Sequence, residues 1–384
     1  MIYLIVIVFQ CFYLSFRSNT MLTTLYAINL DASTFQIGII VGLTSLFPML
    51  LSIYIGQVSD RIGFRYPLML GSFGVSIALL LPYIIKGELY ILFVSQVIFG
   101  LAFILLLVNI QNLVGKISTI ENRSQNYAIY SLGLSTASLL GPLITGFSID
   151  HFGYNNTYLL LSLLAAVPGC FILLNLLKLP ERVAVNEITS NSFMDLLVSR
   201  SLRKTFILSG MILAGIGIYE FYFPIYGKHI GFSASMIGII LSVNASAFIL
   251  VRLFMPFLIK KLTEEGVFRI CLFIAAGAFM LVPLFKGFIS LAIVSFIMGI
   301  GLGCGQPLSI VMAYNASPKE RTGEVLGIRL TVNKIVQFSV PIIFGSVGAI
   351  VGFFPVFWAN ALLLFSGGLF SRLERTESHQ QEES

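Results

Sequence analysis

Long apolar stretches separated by short polar segments dominate the chain. Most of them run for roughly 18 to 25 residues, the length at which an α-helix crosses the hydrocarbon core of a bilayer. They predict twelve membrane-spanning helices, span 1 to span 12. The expected ranges are 3–29, 35–58, 67–85, 89–114, 125–149, 157–178, 205–227, 233–259, 268–286, 288–314, 322–347 and 353–371. A membrane barrel would show alternating segments of about ten residues, so we predict an all-α membrane protein.

Composition also indicates an integral membrane protein. Hydrophobic residues make up 57% of the sequence and charged residues 10%, and the mean hydropathy is +0.95, whereas soluble domains have roughly 25% charged residues. The net charge of +6 does not indicate nucleic-acid binding, because Lys and Arg lie mostly in loops on one side of the spans. The opposite loops carry Lys86, Lys228 and Lys286. Since basic loops stay cytoplasmic, we expect both termini in the cytoplasm and the protein in the plasma (inner) membrane.

A polar segment divides the spans into two sets of six. We expect an N-terminal six-helix bundle at 1–178, a cytoplasmic linker at 179–204, a C-terminal six-helix bundle at 205–371 and a disordered tail at 372–384. The stretch LDASTFQIGII, which ends at Ile40, returns as IGFSASMIGII, which ends at Ile240. This internal repeat indicates that the two bundles are related copies.

The polar sequence GQVSDRIGFR at 56–65 interrupts the apolar runs between spans 2 and 3. Glycine lets helices approach closely or the chain turn, and the carboxylate of Asp60 can accept hydrogen bonds. The sequence GFSIDHFG, from Gly146, echoes this pattern after span 5, whereas Lys260 and Lys261 stand at the corresponding place in the second half. Taken alone, the cluster fits either a conformational gate or a charged loop that keeps a helix end in water.

Twelve spans in two halves, a long central loop and the GxxxDRxGxR cluster together resemble the major facilitator superfamily of secondary transporters, in its bacterial twelve-span form. The resemblance implies two pseudo-symmetric six-helix bundles and a protein that is a transporter and not an enzyme. It also implies a cytoplasmic gating role for the cluster. The residues concerned are Gly56, Asp60, Arg61, Gly63 and Arg65.

Span 5 resembles the antiporter motif of the drug-exporting branch of that family. The matching residues are Gly141, Pro142 and Gly146. The motif prefers glycine at three positions that hold Ala128, Ala137 and Thr145. The match favours proton antiport, and a Gly-Pro kink that serves helix packing alone is the alternative.

Charged residues inside the spans are the most informative for coupling, because they are costly in a bilayer and persist only with compensation. They are Arg17, Glu220, Arg252, Arg329 and Lys334. In span 4, Gln96 stands where the family often carries an arginine linked to proton coupling, so coupling must be organised elsewhere. We predict Glu220 as the proton carrier, since a carboxylate in a partly desolvated cavity can bind and release a proton as the cavity changes sides. A permanent ion pair with Arg17 or Arg252 is the alternative.

Polar residues at helical spacing predict a substrate cavity. Arg329, Asn333 and Gln337 share one face of span 11. The other candidates for the lining are Arg17, Arg252, Lys334, Gln306, Asn109, Asn112 and Tyr222. Hydrogen bonding between helices is the alternative for the polar residues, and an interfacial aromatic belt is the alternative for the tyrosines of span 7. Four basic side chains accompany one carboxylate within the spans, so we expect an anionic or amphipathic solute.

The sequence therefore predicts proton-coupled efflux of a small organic solute by alternating access. A symporter that imports an organic anion or metabolite is the near alternative, and a membrane receptor without transport or a membrane enzyme is the distant one. The expected partners are the solute, protons and the lipid bilayer, for a monomer that binds no nucleic acid. No cofactor or metal is expected, because the four cysteines lie singly in apolar runs. They are Cys11, Cys170, Cys271 and Cys304.

Overall fold

The protein is helical throughout the part of the chain that the structure describes. The structure is a computed structural model that describes residues 2–119, 122–177, 179, 199–317 and 321–373, and no strand occurs in these ranges. Eleven of the helices in these ranges are long and apolar enough to cross a membrane. They account for twelve spans, because the helical stretch Arg123–Leu173 contains both span 5 and span 6. The predicted all-α fold class is confirmed.

The observed helices lie close to the predicted spans. In chain order they are Ile2–Asn29, Thr34–Ile62, Arg65–Ile84, Leu89–Lys116, Arg123–Leu173, Arg200–His229, Ala234–Leu262, Glu264–Leu281, Phe288–Gly303, Gly305–Ala316, Thr322–Val351 and Phe353–Leu373. A short 3₁₀ turn, Val282–Leu284, follows span 9. Span 10 consists of two helices, Phe288–Gly303 and Gly305–Ala316, which meet at Cys304.

One residue with positive φ joins spans 5 and 6. Gly153 has φ 77° and ψ 170°, a combination accessible essentially only to glycine. Nothing lies within 4 Å of the position that a Cβ would occupy there. The backbone conformation, and not a lack of space, therefore favours glycine at this position.

The internal repeat is visible in the backbone. The residues that close the turns after spans 2, 5, 8 and 11 all have positive φ: Gly63 (80°), Gly153 (77°), Thr263 (63°) and Gly352 (79°). Thr263 keeps this conformation although it is β-branched, and its hydroxyl accepts a hydrogen bond from the backbone N–H of Gly266 at 3.4 Å. Each of the four three-helix units therefore has the same turn after its second helix, as an inverted repeat requires.

One compact unit comprises Met1–Thr189 and Phe223–Ser242. Within it, span 1 packs along the stretch that contains spans 5 and 6, and span 4 packs against spans 2 and 3. Gly100 of span 4 approaches span 2 so closely that a Cβ would lie 2.9 Å from the carbonyl oxygen of Thr44. Glycine here lets two helix backbones meet.

The other compact unit comprises Ser190–Tyr222 and Val243–Ser384. Within it, span 9 packs against spans 10 and 12. Gly299 of span 10 lies against the carbonyl oxygen of Asn244 on span 8, again without room for a Cβ. Gly299 follows Gly100 by 199 positions and Asn244 follows Thr44 by 200, the spacing of the internal repeat at Ile40 and Ile240, so both units contain the same close approach.

The first unit also contains a contact between span 5 and the beginning of span 8. The carboxylate of Asp150 accepts hydrogen bonds from the backbone N–H groups of Ala234 at 3.1 Å and Ser235 at 2.8 Å. A Cβ on Gly146 would lie 2.9 Å from the Cα of Ser235. Negative charge at a helix N-terminus is stabilising, so the aspartate of the GFSIDHFG echo caps the helix of span 8.

Several predictions concern residues outside the described part of the chain. For Gly56, Asp60 and Arg61 the structure describes the helical backbone and not the side-chain surroundings, whereas Gly63 forms a turn and Arg65 is exposed at the beginning of span 3. Most of the predicted linker, at 180–198, and of the predicted tail, at 374–384, also lies outside it. The bundle boundaries therefore stay predictions.

We expect Gly153→Ala to destabilise the protein by about 1–3 kcal/mol, because an L-residue is strained at this φ and ψ. Gly277→Ala is the matched control, since Gly277 also has open space around its Cα but lies in the regular helix of span 9. That substitution should be neutral or stabilising, because alanine favours helix. Thermal unfolding of both variants in detergent measures the difference, and equal melting temperatures would contradict the explanation.

Candidate functional site

A neutral polar network lies inside the first unit. The side-chain amide of Asn19 donates to Oε1 of Gln96 at 2.7 Å, and Nε2 of Gln96 donates to the hydroxyl of Thr23 at 3.1 Å. Thr23 also contacts the hydroxyl of Tyr158 at 3.1 Å. All four side chains are buried. Asn19 and Thr23 were not among the predicted residues, although their i, i+4 spacing on span 1 would have placed them on one face.

Arg17 lies two residues before Asn19 of this network on span 1. Its guanidinium carbon is 5.6 Å from the centre of the Phe16 ring, a geometry that favours a cation. Its Cβ faces Gly141 of span 5, where an added Cβ would lie only 2.9 Å away, and the hydroxyl of Ser18 donates to the Gly141 carbonyl at 3.0 Å. Gly141 is therefore a point of close helix packing, and Pro142 follows it inside the same helix.

Proline breaks the hydrogen-bond pattern of span 10, and an arginine repairs it. Because Pro307 has no N–H, the carbonyl of Gly303, four residues earlier, has no donor within its own helix. Nε of Arg252, on span 8, donates to that carbonyl at 3.1 Å. The guanidinium carbon also lies 5.8 Å from the centre of the Phe248 ring. Arg252 is thus at least in part a structural brace for span 10.

The same repair occurs on span 3. Pro82 leaves the carbonyl of Ala78 without a helical donor, and the hydroxyl of Ser95 on span 4 donates to it at 2.7 Å. Backbone groups freed by proline thus receive donors from neighbouring spans, as a bilayer interior requires.

The most developed polar cluster lies in the second unit, around Arg329. Only 2% of Arg329 is exposed. Its Nε and Nη2 donate to the hydroxyl of Ser309 at 3.1 and 2.7 Å, and Nη2 also donates to Oε1 of Gln306 at 2.9 Å and to the Gln306 carbonyl at 3.3 Å. The cluster therefore joins span 11 to span 10.

Two further side chains extend this cluster to span 7. The hydroxyl of Ser209 donates to Oδ1 of Asn333 at 3.0 Å and contacts the hydroxyl of Ser309 at 3.4 Å. The structure thus brings together three predicted residues, Arg329, Asn333 and Gln306, and adds Ser209 and Ser309. The two serines were missed because single serines are common in helices, although Ser309 lies one turn from Gln306.

The rest of the predicted stripe on span 11 forms a separate contact. Nζ of Lys334 donates to Oε1 of Gln337 at 2.9 Å, and both side chains are half-buried. Lys334 and Gln337 are three residues apart, the spacing at which side chains of one helix meet.

The predicted residues of span 7 lie in an aromatic environment. Glu220 is half-buried between buried Tyr219 and Phe221. Tyr219 hydrogen-bonds the hydroxyl of Ser295 on span 10. Tyr222 is fully buried and packs against Phe357 of span 12, with ring centres 5.8 Å apart.

The two asparagines of span 4 differ in exposure. Asn109 is fully buried, and its amide donates to the Leu105 carbonyl at 2.7 Å, whereas Asn112 is exposed near the end of the helix. The cysteines are free, and no group of three potential metal ligands occurs among the described residues.

We expect Arg252→Met to destabilise the protein by about 1–3 kcal/mol, because the Gly303 carbonyl would be left without a donor in an apolar interior. Pro307→Ala supplies a backbone N–H to the same carbonyl, so Arg252→Met should cost less in that background. Thermal unfolding of both single variants and the double variant measures the coupling. Lys260→Met, which removes an exposed cation of the same span, should combine additively with Pro307→Ala. If the effect of Arg252→Met were also additive with that of Pro307→Ala, the proposed role of Arg252 as a brace for the Gly303 carbonyl would be wrong.

Comparison with known proteins gives a consistent result over nearly the whole chain. The family model described as Major Facilitator Superfamily matches residues 4–338 and 205–384. Multidrug resistance protein 2 of Bacillus subtilis (strain 168) is 23% identical over 350 residues, which cover 89% of this chain and 86% of that protein. Multidrug resistance protein MdtG of Klebsiella pneumoniae (strain 342) is 23% identical over 346 residues, which cover 88% and 82%.

Solved structures show the same fold. A bacterial homolog to the human lysosomal transporter Spinster superposes with a TM-score of 0.80 at 12% identity, over 97% of this chain and 95% of that chain. The nucleoside transporter NupG superposes with a TM-score of 0.77 at 16% identity, over 96% and 98%. With its apolar helices and its matching family model, the chain belongs to the Major Facilitator Superfamily, a family of multi-pass membrane transporters and not of enzymes.

Proposed function

We propose that the protein exports a small organic solute in exchange for protons, by alternating access. The observation that carries the direction of transport is the similarity, over most of the chain, to two proteins named for multidrug resistance. The partial antiporter motif of span 5 supports the same direction. Polar clusters inside apolar bundles support a solute pathway, because such groups are costly in a membrane unless they have a function.

The proposed arrangement follows the predicted boundaries. Residues 1–178 and 205–371 form two six-helix bundles that are connected by a cytoplasmic linker at 179–204. The protein works as a monomer in the plasma (inner) membrane with both termini in the cytoplasm, in keeping with the distribution of basic loops. The gate is the cytoplasmic cluster of Gly56, Asp60, Arg61, Gly63 and Arg65.

Glu220 is the proposed proton carrier. It is an acidic residue well inside a span, and it lies half-buried beside buried aromatic rings. Charge at such a place is expensive, so protonation lowers the cost while the cavity changes sides. This chemistry suits the exchange of protons for solute.

The proposed solute is anionic or amphipathic. The basic residues of the spans, Arg17, Arg252, Arg329 and Lys334, outnumber the single carboxylate of Glu220. The remaining proposed lining residues are Asn109, Asn112, Tyr222, Gln306, Asn333 and Gln337. Arg252 can serve both as the brace of span 10 and as part of the positive field.

The excess of positive charge also supports a second candidate, a symporter that imports an organic anion with protons. Everted vesicles that are acidified inside separate the two. An antiporter exchanges internal protons for external solute, so solute accumulates in the vesicles. A symporter carries solute out together with the protons.

We expect Glu220→Gln to abolish proton-driven accumulation in such vesicles, because the amide cannot carry a proton. Ethidium, 2-naphthamide and 2-naphthoate serve as cationic, neutral and anionic fluorescent probes. Solute exchange without a gradient should remain within about twofold of wild type, since binding does not require the proton. Glu88→Gln, at an exposed site between spans 3 and 4, should leave accumulation unchanged. Undiminished accumulation in Glu220→Gln would exclude Glu220 as the carrier, and ethidium as the preferred probe would exclude the anionic solute.

A further inference from the structure

Arg329 is a buried cation whose protein partners are all neutral. Its hydrogen bonds end on one serine hydroxyl, one amide oxygen and one backbone carbonyl. Within the described ranges, no carboxylate bonds to it. Because a buried charge is stable only when paired, this site lacks one negative charge.

The same cluster has more donors than acceptors. Nε2 of Gln306 is buried and has no hydrogen-bond partner among the described residues, while Oε1 of the same side chain accepts from Arg329. Oδ1 of Asn333 accepts from Ser209, and no described residue accepts from its Nδ2 group. Nη1 of Arg329 likewise donates to no described residue. The amide groups of Gln306 and Asn333, together with Nη1 of Arg329 itself, complement an oxyanion.

Apolar side chains of spans 7 and 11 lie beside the cluster. A Cβ on Gly305, next to Gln306, would meet the side chain of Ile212 on span 7. Leu202, Phe206 and Val325 form a buried hydrophobic cluster with Val332 packed against it, and Val332 precedes Asn333 on span 11. If the anionic group of a solute binds at Arg329, the apolar part of that solute would therefore contact apolar side chains of spans 7 and 11.

We propose that Arg329, Gln306 and Asn333 bind the carboxylate of an amphipathic monocarboxylic acid, which is the solute that the protein transports. The single cation of the cluster matches a monoanion, and the amide groups of Gln306 and Asn333 supply neutral donors to its oxygens. Ser309 and Ser209 are positioning residues, because they hold Arg329 and Asn333 through the hydrogen bonds described above. This inference rests on the proposed transport function and specifies its substrate.

Equilibrium dialysis of purified protein against 2-naphthoate and its neutral isostere 2-naphthamide tests the site. Wild type should bind the carboxylate at least about tenfold more tightly than the amide, in line with the strength of a charge-assisted hydrogen bond. Arg329→Gln should lose that preference. Lys228→Gln, which removes an exposed cation near the end of span 7, should keep it. Equal binding of 2-naphthoate to wild type and Arg329→Gln would overturn the proposal.

Gln306→Glu provides a second test that does not depend on losing Arg329. It places a carboxylate next to the guanidinium without changing side-chain length, so it supplies the missing charge from within. We expect 2-naphthoate binding to fall at least about tenfold while the melting temperature of the protein rises. A lower melting temperature together with unchanged binding would overturn the proposal.

Chloride distinguishes a solute carboxylate from an inorganic anion. If chloride raised the melting temperature of wild type but not of Arg329→Gln, and 2-naphthoate bound no better than 2-naphthamide, the site would hold an inorganic ion and the proposal would be wrong. Proton-driven flux separates this inference from the proposed function. If 2-naphthoate binding depended on Arg329 but no probe showed proton-driven flux, the binding site would stand and the transport proposal would be refuted. Proton-driven flux of ethidium or 2-naphthamide, together with 2-naphthoate binding that does not depend on Arg329, would support the transport proposal and refute the carboxylate site.

Discussion

The absence of water from the bilayer interior is the constraint on which this structure depends. Every backbone polar group within the spans must find a partner in the protein, and where proline interrupts a helix the chain meets this need across helices. Ser95 donates to the carbonyl that Pro82 frees, and Arg252 donates to the carbonyl that Pro307 frees. Prolines can thus interrupt helices because neighbouring helices supply the lost donors. A side chain that answers a backbone need is fixed in place, which is why an arginine in a span is not by itself a substrate ligand.

The two units share a packing scheme and differ in chemistry. The pairs Gly100 with Thr44 and Gly299 with Asn244 place glycine against a helix backbone in each unit. Around this common scheme, the first unit contains the neutral Asn19–Gln96 network and the second contains Arg329. Close packing constrains the small residues strongly, because any added atom would force helices apart. The polar residues are less constrained by the fold, so the duplicated halves could acquire different tasks.

Much of the fold could be predicted from the sequence, because apolar runs of membrane length have a single regular solution. The shared face of Arg329 and Asn333 also followed from helical periodicity. The roles of individual side chains did not. That Arg252 lies at the Gly303 carbonyl depends on how spans 8 and 10 pack, and Ser209 and Ser309 carry no distinctive signal as single serines. Thr263 is a similar case, since its residue type does not indicate the positive φ that it adopts at the end of span 8.

The cap that Asp150 forms on span 8 differs from the interior hydrogen bonds in one physical respect. Asp150 is exposed, so water can replace the amides of Ala234 and Ser235 at little net free energy. The carbonyl of Gly303 is buried, so water has little access to replace the hydrogen bond that Arg252 donates to it. The same kind of hydrogen bond is therefore exchangeable at the end of span 5 and effectively permanent in the middle of span 10. Solvent access, and not bond strength, decides which helix contacts of this protein can be made and broken repeatedly.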